Sequence, residues 1–120
     1  MSEKSIRTTG QQARQYVKSL TPFHNNGTNY RHAKGATLWS ELLTSAGDPD
    51  PLYVVYSYGR HWPLFANWKG VWFANKDKAS RTTSKHYGQA HPHTTVVEMS
   101  NIDMEYLVLF LSRPQKEQTI

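Results

Sequence analysis

Residues 52–75 read LYVVYSYGRHWPLFANWKGVWFAN, and this stretch decides the fold. Its first part, residues 52–58, is rich in β-branched, aromatic and aliphatic side chains and ends at Gly59, which is typical of a strand. Two more short runs, residues 62–67 and 71–75, flank Lys69-Gly70, which predicts a hairpin with a positive φ at the glycine. The stretch therefore predicts a small antiparallel sheet at the centre of the chain.

The segment before this sheet carries helical patterns. Within residues 1–20, apolar side chains at 13, 16, 17 and 20 share a face before Pro22, which predicts a peripheral amphipathic helix. Residues 21–35 predict a loop. A short helix is predicted over Ala36–Leu43, because its apolar side chains have helical spacing and the run 47–51 then breaks it.

The segment after the sheet predicts further elements. Residues 77–88 are polar and rich in Ser and Thr, which predicts a helical turn capped by Ser80. Residues 94–99 predict a last strand. Ser100 or Asn101 is placed to cap a helix over residues 101–112, although the apolar run 106–111 also suits a strand.

Together these patterns predict a single α+β domain of 120 residues. We expect an antiparallel sheet of three or four strands with two or three helices packed on one face. The expected division is a helical N-terminal part (1–50), a sheet with a basic and aromatic segment (51–99), a C-terminal helix (100–113) and a frayed tail (114–120).

Composition excludes several classes of protein. The chain has no cysteine, which excludes a disulfide scaffold, a zinc ribbon and a thiol nucleophile. Its start has no apolar core of signal-peptide length, and its longest apolar run is far shorter than the ~20 residues that span a bilayer. We therefore expect a cytoplasmic protein with no membrane partner and no bound cofactor.

The positive charge is concentrated in one segment. The formal net charge is +5, and residues 51–93 hold six Lys or Arg against Asp77 alone. The same segment holds nine of the fifteen aromatic residues and four of the six histidines. Cations interleaved with aromatic rings are typical of a surface that binds nucleic acid.

Residues 56–86 contain three groups of polar and aromatic residues that together form a spaced pattern. The groups are Tyr56, Ser57, Tyr58, Gly59, His61 and Pro63, then Trp72 and Asn75, then Ser80, Thr82, Thr83, Ser84 and His86. The pattern resembles an uncharacterised family of small proteins of phages and other prokaryotic genomes, whose core is of the type Tyr-Ser-Tyr-Gly-x-His-x-Pro, then Trp and Asn, then Ser-x-Thr-Thr-Ser-x-His. The resemblance covers about 40 residues, implies a phage or mobile-element origin with the host cytoplasm as location, and brings no activity with it.

The first hypothesis for function is a non-catalytic nucleic-acid-binding protein, for either DNA or RNA. Exposed rings beside cations stack unpaired bases while the cations neutralise phosphates. We expect the phosphate contacts to come from Arg60, Lys69, Lys76, Lys78, Arg81 and Lys85, and the base contacts from Tyr58, Trp62, Trp68 and Trp72. The alternative for each single ring is a place in the core.

Residues 80–86 predict a phosphate-holding segment. Hydroxyls, a guanidinium and main-chain N–H groups at the start of a helix are the donors that phosphate oxygens accept from. The alternative is a solvated loop whose hydroxyls cap a helix and bind their own backbone. The candidate phosphate ligands are Ser80, Thr82, Thr83, Ser84 and His86.

Two other functions use the same residues. A protein-binding inhibitor would present the positive face to an acidic host protein, since Tyr, Trp and Arg are also enriched at protein interfaces. A metal-independent phosphodiesterase would use His61 and His86 as general base and acid. We expect no metal site, because the histidines at 86, 91 and 93 have no acidic residue nearby in the sequence.

Overall fold

The computed structural model describes residues 5–25, 37–43, 50–77 and 80–111, and the strands among them form one sheet of seven. A short 3-10 helix, Gly10–Gln12, precedes the first α-helix. The strands are β1 (Ile6–Arg7), β2 (Phe23–His24), β3 (Leu38–Leu43), β4 (Leu52–Ser57), β5 (Pro63–Trp68), β6 (Val71–Asn75) and β7 (Val97–Met99). The helices are α1 (Ala13–Lys18), α2 (Arg81–Ala90) and α3 (Asn101–Leu111).

The sheet is mixed, and its strands lie in the order in which they follow one another along the chain. The pairs from β2 to β6 are antiparallel, whereas β1–β2 and β6–β7 are parallel. Parallel neighbours need a crossover connection, and α1 and α2 lie in these two connections. The two helices also contact each other, because the Arg14 guanidinium donates to the carbonyls of Gly88 and His91 at 2.6 and 2.7 Å.

The core lies on both faces of the sheet. On one face, Tyr53 and Val55 of β4 belong to the apolar cluster that contains residues of α1 and α2. On the other face, Val54 and Tyr56 belong to the cluster that contains Met104 of α3. Because successive side chains of a strand point to opposite faces, burial on both faces explains why β4 is a continuous apolar run rather than an alternating one.

The predicted fold class is therefore wrong in three respects. The sheet has seven strands rather than three or four, it is mixed rather than antiparallel, and the helices lie on both of its faces rather than on one. β1 and β2 have two residues each and β7 has three, which is too short for a periodic pattern. Their pairing comes from tertiary contacts that local sequence does not encode.

The helix predicted over Ala36–Leu43 is also wrong, and residues 38–43 form β3 instead; Ala36 lies outside the described residues. All six residues of β3 pair with β4. Leu38 and Trp39 are both fully buried, in the clusters on opposite faces of the sheet. A strand that is buried on both faces does not alternate between apolar and polar residues. Its apolar residues can therefore fall at the spacing expected of a helix. The N-terminal helix predicted in residues 1–20 is confined to α1.

Several local predictions are confirmed. The β5–β6 hairpin turns at Lys69-Gly70, where both residues have a positive φ, 53° and 82°, as a two-residue type I′ turn requires. Ser80 caps α2, which runs well beyond the single turn predicted. Ser100 caps α3 by accepting a hydrogen bond at 3.2 Å from the N–H of Asp103. Among the described residues, no helix is both long and apolar enough to cross a membrane.

Candidate functional site

The residues singled out by the sequence converge mainly at one end of the sheet, where β4 and β6 finish and β5 begins. We call it the β4–β5 end. The loop Tyr58–Trp62 lies there, and both long helices start there. Ser57 Oγ is 3.4 Å from Oγ1 of Thr83 in the first turn of α2, and the Asn101 side chain of α3 donates to the carbonyl of His61 at 3.2 Å.

A buried polar network connects β4 to α2. Ser57 Oγ lies 2.9 Å from Nδ1 of His86, and both residues are almost fully buried, at 1% and 4% exposure. The Ser80 hydroxyl lies 3.2 Å from Oγ1 of Thr83 and accepts a hydrogen bond from the N–H of the same threonine. Buried hydroxyls and imidazoles with partners of this kind fix one relative position of the strand and the helix.

Burial lowers the pKa of His86 below its ordinary value, and the nearby charge of Lys85 lowers it further. His86 is therefore neutral at pH 7. A neutral imidazole has one donor and one acceptor nitrogen, so a neutral Nδ1 can accept the hydroxyl proton of Ser57. His86 thus joins the interior of the fold rather than adding a positive charge to the surface.

Tyr58 follows β4 in a left-handed conformation with a φ of 67°. Such a backbone costs an ordinary residue about 1–2 kcal/mol, so surrounding contacts must hold it. Its N–H donates to the carbonyl of Thr37 at 2.9 Å, and its own carbonyl accepts from the indole N–H of Trp39. The result is that the phenol ring is 43% exposed, with its centroid 5.8 Å from that of the His86 ring.

Gly59 allows His61 to fold back over the loop. A Cβ atom at position 59 would lie 2.8 Å from Nδ1 of His61, closer than such contacts allow. The turn is closed by the N–H of Trp62, which donates to the carbonyl of Gly59 at 3.1 Å. The imidazole of His61 is exposed and lies beside the Tyr58 ring in the lining of the cavity described below.

Asn75 connects the other segments at this end. Its amide donates to the carbonyl of Pro63 at 2.9 Å and to the Asn101 side chain at 2.7 Å, and its Oδ1 accepts from the N–H of Asp77 at 2.8 Å. Asp77 in turn accepts from the N–H of Asn101 at 2.8 Å. The one carboxylate of the basic segment is thus hydrogen-bonded to the start of α3.

A small open cavity of about 180 Å³ lies between the loop and the start of α2. The described residues that line it carry hydroxyl, imidazole, phenol and indole groups, and none of them is a carboxylate. They are Ser57, Tyr58, His61, Trp62, Ser80 and Thr83. His86 is not among them, because it lies against Ser57 in the interior.

Two of the six cations predicted to contact phosphate are engaged elsewhere. Arg60 donates to both carboxylate oxygens of Glu41 at 2.9 and 3.0 Å and lies over the Trp39 ring at 5.1 Å. Lys69 lies at the opposite end of the sheet, 3.7 Å from the Asp50 carboxylate and 4.4 Å from the centroid of the Trp68 ring. The structure therefore does not bring Lys69 to the other candidates.

Glu41 explains why Arg60 is held. This carboxylate is nearly buried, and it also accepts a hydrogen bond at 2.6 Å from the Tyr56 hydroxyl. The hydrogen bond to Glu41 raises the pKa of Arg60 above its ordinary value. Burial, followed by the charge of Glu41, raises the pKa of the Tyr56 hydroxyl well above its ordinary value. Glu41 is not among the residues predicted from sequence, because it lies 19 residues from Arg60 in a segment predicted to be helical.

Three cations remain at or near the β4–β5 end. Lys76 directly follows β6, Arg81 opens α2, and Lys85 lies one helical turn further on. All three are exposed and make no salt bridge within the described ranges. Lys78 lies outside the described residues. Residues 78–97 contain no Asp or Glu, so the surface of α2 carries positive charge without a carboxylate of its own.

Of the four rings predicted to stack bases, Tyr58 is the exposed one. Trp62 and Trp72 are half-buried against the cluster under α1 and α2, and Trp68 is half-buried against the cluster under α3. The indole N–H groups of Trp62 and Trp68 are buried without an acceptor among the described residues. These three indoles therefore serve mainly as packing groups, which is the alternative that the sequence left open.

The hydroxyls of residues 80–86 divide into two groups. Ser80 and Thr83 act as the helix cap and the contact to Ser57, whereas Thr82 is exposed on the first turn of α2 and Ser84 is half-buried.

Among the described residues, no group of three or more His, Cys, Asp or Glu is placed to hold a metal ion. His91 instead packs edge-on against Phe65, 5.5 Å between centroids.

Comparison of the chain with protein-family models, curated proteins and solved structures found no match. These comparisons show no family for this chain. Most of the residues that carry the expected resemblance meet at the β4–β5 end, while Trp72 lies nearer the hairpin and contacts Tyr53.

Proposed function

We propose that this protein binds single-stranded nucleic acid, DNA or RNA, at the β4–β5 end of the sheet and catalyses no reaction on it. The observation that carries the proposal is the position of Tyr58. Its exposed ring stands beside a cavity without carboxylates, next to the helix whose surface holds Arg81 and Lys85.

The phosphate part of the proposed surface is the first two turns of α2 together with Lys76, which directly follows β6. Main-chain N–H groups and the helix dipole at a helix N-terminus favour an anion, and at this terminus the Ser80 side chain already accepts from the N–H of Thr83. Arg81 and Lys85 add two exposed positive charges, and the exposed Thr82 adds a hydroxyl donor. A guanidinium and a hydroxyl on one helical turn are the groups that contact phosphodiester oxygens in protein complexes.

The base part of the proposed surface is the Tyr58 ring. A base that has left a duplex stacks on an exposed aromatic ring, which contributes about 1–3 kcal/mol per base. The left-handed backbone of Tyr58 holds its ring toward solvent. This conformation carries backbone strain that an ordinary conformation would not. A strained residue with an exposed ring next to cations supports a binding role for that ring.

The arrangement of the two histidines supports binding rather than catalysis. A general acid and a general base must reach the same phosphate. His61 lines the cavity, whereas His86 is 4% exposed and holds Ser57 in the interior. We therefore assign His86 a structural role and place His61 at the rim of the proposed binding surface.

The proposal is tested by fluorescence anisotropy with labelled single-stranded DNA and RNA of mixed sequence at low salt. Tyr58→Leu keeps an apolar side chain in the same backbone conformation but removes the ring, and we expect affinity to fall about 5- to 150-fold. Tyr58→Phe keeps the ring and is the matched control, with an affinity close to that of the unmodified protein.

Two results would overturn the proposal. One is the absence of binding to any single strand at low salt, which would favour a protein partner for the positive surface. The other is equal loss of affinity in both Tyr58 variants, which would assign the effect to the hydroxyl rather than to stacking. Cleavage of the strands in the presence of EDTA, lost in His61→Ala, would show the phosphodiesterase instead.

A further inference from the structure

Three hydroxyl groups follow one another along the wall of the cavity at the β4–β5 end. The Ser80 hydroxyl donates to Oγ1 of Thr83 at 3.2 Å, and that oxygen lies 3.4 Å from Ser57 Oγ. Ser57 Oγ in turn lies 2.9 Å from Nδ1 of His86. We call these three hydroxyls the hydroxyl series. All three residues line the cavity.

The burial of Thr83 decides the direction of the hydrogen bonds in the hydroxyl series. Thr83 is 3% exposed, and its Oγ1 already accepts from Ser80. Among the described residues, Ser57 Oγ is the acceptor that remains for the Thr83 hydrogen, and buried polar groups are as a rule hydrogen-bonded. Ser57 then donates to Nδ1 of the neutral His86 imidazole. Each hydrogen of the hydroxyl series is therefore used within the protein.

The hydroxyl series consequently offers oxygen lone pairs, rather than hydrogens, to a ligand in the cavity. A hydroxyl oxygen has two acceptor lone pairs. Ser80 Oγ accepts from the N–H of Thr83, so one lone pair remains. Ser80 is also the exposed member of the series. A ligand group that contacts Ser80 Oγ therefore has to be a hydrogen-bond donor.

His61 adds a donor to the same cavity. Its exposed imidazole is part of the lining. An imidazole carries at least one N–H in its neutral and in its charged form. The lining thus combines an acceptor at Ser80 with a donor at His61.

Adenine and cytosine have the edge that matches this pair of groups. Each carries an exocyclic amino group, which donates, beside a ring nitrogen, which accepts; thymine and uracil carry a carbonyl oxygen beside a ring N–H instead. The cavity volume of about 180 Å³ suits a single base rather than a whole nucleotide. The Tyr58 ring, which is proposed to stack a base, belongs to the same lining.

We propose that this cavity selects adenine or cytosine over thymine or uracil in the bound strand. The amino group of the base donates to Ser80 Oγ, and its ring nitrogen accepts from the His61 imidazole. This selection rests on the proposed function, since the base belongs to a strand bound at the β4–β5 end. It differs from stacking on Tyr58, because stacking tolerates every base.

Pairs of oligonucleotides that differ only at this edge test the selection. Fluorescence anisotropy at neutral pH compares labelled oligo(dC) with oligo(dU), and oligo(dA) with a strand of deoxynebularine, whose purine lacks the amino group. We expect the unmodified protein to bind oligo(dC) and oligo(dA) about tenfold more tightly than their counterparts, since a pair of hydrogen bonds to one base edge discriminates by this order.

Thr83→Val tests the hydroxyl series itself. The substitution removes the acceptor of the Ser80 hydrogen, so the Ser80 hydroxyl becomes free to donate into the cavity. We expect the preference for oligo(dC) over oligo(dU) to be lost. Thr83→Ser keeps a hydroxyl at this position and is the matched control, which should retain the preference. Circular dichroism checks that both variants are folded.

The outcomes distinguish this selection from the proposed function. Equal affinity of the unmodified protein for oligo(dC) and oligo(dU), or tighter binding of oligo(dU), would overturn the selection and leave binding of single strands intact. A preference that folded Thr83→Val retains would also overturn it, because the hydroxyl series would then not set the preference. Absence of binding to all four oligonucleotides would overturn the proposed function, and the selection with it.

Discussion

Ser57 Oγ lies 2.9 Å from Nδ1 of His86, and this contact joins a strand and a helix that are 29 residues apart in the chain. Both side chains are almost fully buried. The contact places the first turn of α2 against the end of β4, directly before the strained residue Tyr58. The proposed binding surface depends on this position, because Tyr58 comes from the strand side and Arg81 from the helix side.

Ser57→Ala should therefore destabilise the fold. The substitution leaves the buried His86 imidazole without its partner, which costs about 1–3 kcal/mol in the free energy of unfolding. Urea unfolding followed by tryptophan fluorescence measures it. Thr82→Ala, on the exposed side of the first turn of α2, is the control and should change stability by less than about 0.5 kcal/mol. Equal effects of the two substitutions would contradict the structural role of the contact.

Stability should fall as the pH drops below about 6.5, the ordinary pKa of histidine. Burial and Lys85 lower the pKa of His86, burial and Arg7 lower that of His24, and burial, His93 and Arg14 lower that of His91. Below pH 6.5 the unfolded chain binds protons that the folded chain does not yet bind, so protonation favours unfolding. Above pH 6.5 the folded protein has the full stability that it loses when these histidines are protonated.

His86→Asn should flatten this pH dependence, because one of the three groups no longer titrates. Each proton contributes at most about 1.4 kcal/mol per pH unit to the slope. Urea unfolding at a series of pH values between neutrality and the acid limit measures the slope for both proteins. A slope that is unchanged in His86→Asn would show that His86 titrates alike in the folded and unfolded chain.

Arg60 and Arg81 should have opposite roles. Arg60→Ala removes two hydrogen bonds from the nearly buried Glu41 carboxylate, and we expect a loss of about 1–2 kcal/mol, a moderate value because the Arg60 side chain is 58% exposed. The affinity of the Arg60→Ala variant for single strands should change little. Arg81→Ala should leave stability nearly unchanged and weaken binding roughly fivefold. The reverse pattern would contradict a structural role for Arg60 and a phosphate-binding role for Arg81.

Ser80 allows the cap of α2 to be separated from its proposed ligand. Ser80→Ala removes the hydrogen bond that Oγ accepts from the N–H of Thr83 and should cost about 1 kcal/mol. Ser80→Asp keeps a capping oxygen and complements the helix dipole, so stability should be retained. Its negative charge should repel phosphate, so affinity for a single strand should fall. Undiminished affinity in Ser80→Asp would show that phosphate does not bind at the start of α2.

Local chemistry explains which elements were predictable. The hairpin at Lys69-Gly70 and the caps at Ser80 and Ser100 depend on a few adjacent residues, and sequence alone identified them. β3 was mistaken for a helix because both of its faces are buried. β1 and β2 were missed, and the strand at β7 was predicted too long, because two or three residues carry no period and the pairing of these strands depends on distant segments.

The candidate site was predictable only in part for the same reason. Sequence identified Tyr58, Arg81 and Lys85 as candidates from composition. It could not show that Arg60 is bound by Glu41 on another strand, or that Lys69 lies at the opposite end of the sheet. The partner of His86 was equally hidden, because Ser57 precedes it by 29 residues. Contacts between distant segments decide which cations remain available.

The salt dependence of binding tests the central claim most directly. Affinity for a labelled single strand is measured by anisotropy over a series of salt concentrations, for the unmodified protein, Arg81→Ala with Lys85→Ala, and Lys69→Ala. If Lys76, Arg81 and Lys85 contact three phosphates, log K should fall with log salt with a slope of about −2, since each contact contributes about −0.7. The double variant should reduce the slope to about −0.7, and Lys69→Ala should leave it unchanged. A slope near zero, or an equal change in both variants, would contradict a phosphate-binding surface at the start of α2.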